Sequence, residues 1–138
     1  MSMPLTGPHR SRLILDSGAV IALAARQERV RQIVQRARVE NRLVVIPAVV
    51  IAETTRGGPR DAAVNRVIKA VDVIVPITEE IAREAGRLLI AASMSNATVD
   101  ALVVSTALRP IPTIIVTGDV GDITALSANY SHVRIVGV

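Results

Sequence analysis

A chain of 138 residues, half of them hydrophobic, is long enough to bury one core and too apolar to be disordered. The absence of cysteine excludes disulfides and thiolate metal sites and fits a reducing cytoplasm, and the single aromatic residue, Tyr130, argues against a protein that stacks bases on rings. The net charge of +4 is unevenly placed: residues 1–66 hold eleven Lys and Arg against five Asp and Glu, residues 67–138 five against seven. Such a division suits a polyanionic partner beside a cluster of carboxylates, and equally a solvated basic face.

Residues 1–12, MSMPLTGPHRSR, read as a flexible leader, and residues 13–138 as a single domain. The run RSRLILDSGAVIALAA has the look of an export signal, but Asp16 in its centre would cost about 2.5–3.5 kcal/mol on insertion. No apolar run approaches the roughly 20 residues that cross a bilayer. RLILD (12–16) instead predicts a buried parallel strand, followed by a helix from Ser17 to about Ala25 and a basic helix from Glu28 to Val39. RLVVIP (42–47) is a second strand, with Pro47 suited to the first turn of the helix AVVIAETTR. GGP (57–59) breaks the chain before the helical RDAAVNRVIKAV, and DVIVP (72–76) is a third strand. TEEIAREAGRLLIAA (78–92) is an amphipathic helix with Thr78 as its N-cap. A helix from about Val99 to Leu108, the strand PTIIVTGD (112–119), the short helix VGDITALSA and a last strand HVRIVGV complete the chain. The alternation predicts a three-layer α/β/α sandwich around a mostly parallel sheet of about five strands.

Four carboxylates stand out. Asp16 and Asp119 end predicted strands, where open parallel sheets gather functional groups, although either could be an ordinary helix N-cap. Glu53 shares a predicted helix face with Val49 and Val50, where a bare charge is costly unless paired or bound to a cation. Asp100 opens a helix whose next turns carry Val103, Val104 and Ala107. Brought together, these acids would repel one another and raise some pKa values, a conflict that a hard divalent cation removes. His9 and His132 have no metal-ligand spacing, so zinc is not expected, and His132 reads as structural.

The ordered set DSGA (16–19), Glu53 in AETTRG, Asp100 in TVDALVVSTAL and Asp119 in TGDVGDI resembles the PIN (PilT N-terminal) domain over nearly the whole chain. Size and layout look closest to the VapC-type toxins of bacterial toxin–antitoxin pairs. The resemblance implies a cytoplasmic endoribonuclease dependent on Mg²⁺ or Mn²⁺ that inhibits growth or translation. Its implied ligands are Asp16, Asp100 and Asp119, with Glu53 as the fourth acid. Ser17 and Thr117 would fix carboxylates or phosphate, and Asp122 is either a further ligand or a helix-terminal charge. Arg56, Arg60 and Arg26 are candidates for RNA backbone. The implied partners are RNA, a VapB-like antitoxin and a second copy of the chain, with no membrane.

Gly18 departs from the Ser or Asn that many PIN domains carry there, which leaves open a weakened, PIN-like module that binds RNA or protein. A non-toxic PIN nuclease of RNA maturation is the other alternative. Phosphotransfer folds fit poorly: a haloacid-dehalogenase-like site needs a second Asp at position 18. A response regulator needs paired acids before Asp16 and a late lysine, and Lys69 is the single lysine.

Overall fold

The computed structural model describes residues 10–138. In chain order the elements are β1 (Arg12–Leu15), α1 (Ser17–Ala24), α2 (Glu28–Val39), β2 (Leu43–Pro47) and α3 (Ala48–Thr54). After a 3-10 turn at Pro59–Asp61 come α4 (Ala62–Ala70), β3 (Val73–Val75), α5 (Glu79–Ala91), α6 (Thr98–Ser105), β4 (Thr113–Thr117), α7 (Val120–Leu126) and β5 (Val133–Gly137). This is the predicted succession. Pro47 differs in detail: it ends β2 with extended backbone and serves as the N-cap residue of α3 rather than entering its first turn. Residues 1–9 of the expected leader, with His9, lie outside the described residues. Its last part is built in: Arg10 donates to Asn41, and Arg12 opens β1.

The five strands form one sheet in the order β3-β2-β1-β4-β5, every pairing parallel. Strands buried on both faces need unbroken apolar runs rather than alternation. LVVIP and TIIVT are buried at every position, as are Leu13, Ile14 and Leu15 of β1. Helices therefore cover both faces, which gives the three layers. The outer strands are less protected, and Val73 and Ile74 of β3 stand more than a third exposed. Among the described residues no helix is long and apolar enough to cross a membrane.

Three helices end on a left-handed residue that is not glycine: Arg26 (φ 59°), Asn41 (φ 61°) and Ser93 (φ 53°). At each end the next amide returns to a carbonyl five residues back, as Gln27 N does to Ala22 O at 2.9 Å, so the terminal carbonyls are satisfied without the usual residue.

The strand order places the site. From β1 the sheet grows one way through β2 and β3, and from β4 the other way to β5. The crevice between the carboxyl ends of β1 and β4 is thus the switch point of the sheet, where helices leave in opposite directions. Leu15 pairs with Val116, and Asp16 N–H continues the ladder to Val116 O at 3.1 Å, so Asp16 and Thr117 lie side by side at the strand tips.

Candidate metal centre

Asp16 is almost completely buried and heavily donated to. Its carboxylate caps α1 by accepting from Ala19 N–H at 2.9 Å, and it accepts from Gly118 N–H at 3.2 Å across the strand tips. The buried Thr117 hydroxyl donates to it as well, while accepting from Asp119 N–H at 2.8 Å. Burial still raises the pKa of Asp16. The hydrogen bonds from Thr117, Ala19 and Gly118 oppose that rise, and the nearby charge of Glu53 adds a little to it.

Asp100, Asp119 and Asp122 form a second group, each offering a carboxylate oxygen within 4.8 Å of the other two. Asp100 comes from the first turn of α6, Asp119 caps α7, and Asp122 lies in the first turn of α7. A local bond runs from Asp122 N–H to Asp119 Oδ1 at 3.2 Å. The Asp100 pKa is pushed up to about 6, first by desolvation and then by repulsion from Asp119, Asp16, Asp122 and Glu53. The Asp122 pKa is raised too, by desolvation and by Asp119.

Asp100 therefore feels the charges of the other four acids at this sheet edge. Asp122, which the sequence left between ligand and helix charge, stands inside the tightest group, while Asp16 and Glu53 border it. Glu53 corrects one expectation: its side chain is exposed rather than set on an apolar face, and on α3 only Val50 is buried. What ties it to the site is Ser17, whose hydroxyl donates to the Glu53 carboxylate. Hard oxygen donors held in mutual repulsion are the donor set that Mg²⁺ or Mn²⁺ takes, so the residues present fit such an ion.

None of the candidate arginines Arg26, Arg56 and Arg60 forms an ion pair with these acids among the described residues. Arg56 turns back on the end of α3, donating to the carbonyls of Ala52 and Thr55 at 3.1 and 2.7 Å. Its own amide and that of Gly57 are held by Asp61, a buried acid that the sequence did not single out. Among the described residues the side chains of Arg26 and Arg60 make no hydrogen bond or ion pair. A groove of about 700 Å³ runs along α2 past Arg29, Gln32 and Arg36 and is lined by none of the five acids. His132 is structural, as expected: its Nε2 lies 2.7 Å from Ala107 O and its ring stacks on Tyr130.

A fully parallel sheet with carboxylates converging at its switch point defines a class, that of α/β domains whose strand-tip acids could hold a divalent cation. Within it, the chain belongs to the PIN domain family, whose model matches residues 13–120. Its fold is similar to a chain in the structure of VapBC2 from Rickettsia felis bound to a DNA fragment from their promoter, with a TM-score of 0.70, 12% identity, and 91% of this chain and 98% of that one covered. FitAB bound to the IR36 DNA fragment gives 0.65 at 19% identity, covering 91% and 94%. FitAcB from Neisseria gonorrhoeae gives 0.61 at 20% identity, covering 89% and 95%. At such identities the likeness is one of fold. No curated protein matches the chain.

Proposed function

We propose that this PIN domain is a Mg²⁺- or Mn²⁺-dependent endoribonuclease that acts as the toxin of a toxin–antitoxin pair. The observation that carries the nuclease reading is the convergence of Asp16, Glu53, Asp100, Asp119 and Asp122 at one sheet edge, with Asp100 raised to about 6 by its neighbours. Family membership supports it, since PIN domains are typically nucleases. The toxin reading draws on the shared fold with VapBC and FitAB, which are toxin–antitoxin complexes.

Asp16, Asp100 and Asp119 would hold the ion, with Asp122 beside them and Glu53 as the outer acid. A divalent ion supplies an acidified water and neutralises charge on a phosphodiester in transit. The chain's own groups do the rest. Thr117 fixes Asp16 through its hydroxyl and Asp119 through that residue's amide, so the two strand tips keep one spacing. Ser17 orients the Glu53 carboxylate. Among the described residues the one histidine, His132, does not serve as a nucleophile's base, since it is engaged by Ala107 and Tyr130.

Arg26 lies in a groove of about 320 Å³ with Arg31, Arg38 and Arg66 over an apolar floor that includes Val34 and Val67. This chemistry suits a segment carrying acidic and apolar side chains, as expected of an antitoxin that folds on binding. Arg56 and Arg60 are left to meet RNA backbone. The test is induction in cells with mapping of new RNA 5′ ends. Discrete new ends and growth arrest that vanish with Asp100→Asn support the reading; arrest or ends that persist in that variant overturn it.

A further inference from the structure

Gly18 and Gly118 meet back to back at the site. Gly18 lies in the first turn of α1, and Gly118 joins β4 to α7. A Cβ on Gly18 would stand 2.8 Å from Gly118 Cα and 2.9 Å from Gly118 N, both backbone atoms that cannot swing aside. From the other side, a Cβ on Gly118 would lie 3.3 Å from Gly18 Cα. Neither glycine has the left-handed backbone that side chains avoid; among the described glycines that conformation belongs to Gly57 alone. Conformational freedom is therefore not what these positions need. They need the missing side chains.

The atom a methyl at position 18 would strike is the donor that grips the catalytic edge. Gly118 N–H is bonded to Asp16, at 3.2 Å to Oδ2 and 3.4 Å to Oδ1. Pushing it away breaks that bond. The same push carries along Asp119, the next residue, whose amide is fastened to Thr117. Steric contact, hydrogen bond and acid spacing thus share one pair of residues.

We propose that Gly18 is a positioning residue: its bare contact with Gly118 sets the separation of Asp16 from Asp119, and so the shape of the acid cluster that receives the cation. The Ser or Asn common at this place in PIN domains would not fit here, and Gly18 is a requirement of this chain's turn rather than a mark of lost activity. The inference rests on the metal-centre reading above.

The experiment compares wild type, Gly18→Ala and Gly118→Ala by Mn²⁺ titration calorimetry and by hydrogen exchange of the Gly118 amide in metal-free protein. Gly18→Ala should speed Gly118 exchange about tenfold or more and weaken Mn²⁺ binding about 10- to 100-fold, the usual range for partners that orient a ligand. Gly118→Ala, with its looser 3.3 Å contact, should give a smaller loss of the same kind. It also serves as the test if Gly18→Ala does not fold. Wild-type Mn²⁺ affinity together with a wild-type Gly118 exchange rate in the folded variants would overturn the positioning role. Failure of wild type itself to bind Mn²⁺ would instead overturn the metal-centre reading, and the role towards an ion with it.

Discussion

The two sides of the acid site solve the same electrostatic problem in opposite ways. On the β1 side, Asp16 is buried but receives Ala19, Gly118 and Thr117 as donors, which offset part of the desolvation that raises its pKa. On the α6–α7 side, Asp100, Asp119 and Asp122 crowd together with one local hydrogen bond between them. The first is a carboxylate whose burial is partly offset by donors; the second is a crowding that a divalent cation would relieve. The same residue type is structural cement in one place and a source of strain a few ångströms away.

The sharpest break of that contrast is Asp100→Asn. It should lower RNA cleavage by at least about a hundredfold, because even partners that merely orient metal ligands are worth about 10–100-fold. The next effect is stabilisation by the ion. Mg²⁺ or Mn²⁺ at about a hundred times its Kd should add about 2.7 kcal/mol to wild-type stability in denaturant melts, and Asp100→Asn should lose most of that gain. In the metal-free protein the two sides should then part in sign. Asp16→Asn weakens a cap and a cross-strand acceptor and should destabilise by about 1–2 kcal/mol. Asp100→Asn removes repulsion and should stabilise at neutral pH. Equal signs in chelator-treated samples would dissolve the distinction.

A pH series tests the same point more gently. The Asp100 pKa, 3.8 for an unperturbed carboxyl, rises to about 6 in the fold. The folded state thus holds its proton more tightly than the unfolded chain does. Its contribution is fully present below 3.8 and lost as pH rises through 6, so metal-free stability should fall across that window. Screening at this half-buried carboxyl leaves about 1–2 kcal/mol of that effect, which chemical denaturation at stepped pH would read. The smallest effect belongs to the arginines. Arg56→Ala should flatten the salt dependence of RNA binding by about one unit if its guanidinium leaves the α3 carbonyls for phosphate, and an unchanged slope would keep it a helix cap.

The fold was legible because its central strands are unbroken apolar runs and its helices follow them in strict alternation. RLIL, LVVIP and TIIVT have no reading other than strands buried on both faces once short helices flank them. Asp16 and Asp119 were legible for the same reason, as the first polar residues beyond a buried strand. Helix ends were less so, since Arg26, Asn41 and Ser93 stop helices where pattern reasoning waits for glycine. The exposed setting of Glu53 could not be read, because it lies at the end of α3, one turn beyond the buried Val50, where the local pattern does not show how far the packed face extends. Gly18 was legible only as a departure. Its reason lies in Gly118, a hundred residues on, and no local pattern joins the two. Asp61 hid in the same way: its partners are the amides of Arg56 and Gly57 in the turn before it.

The hydrogen bond from Gly118 to Asp16 spans 102 residues of sequence. With β1 flanked by an early strand and a late one, the first half of the chain can assemble β1, β2 and β3 while still holding only two of the five acids. The remaining three arrive with α6 and α7. At roughly 5–20 residues per second, a ribosome needs several seconds to pass from Asp16 to Asp122. During that time the nascent chain carries two of the five acids and lacks the other side of the crevice. The sheet order thus makes the acid cluster a late-completed feature of the chain, closed only when β4 lies beside β1 and α7 follows it.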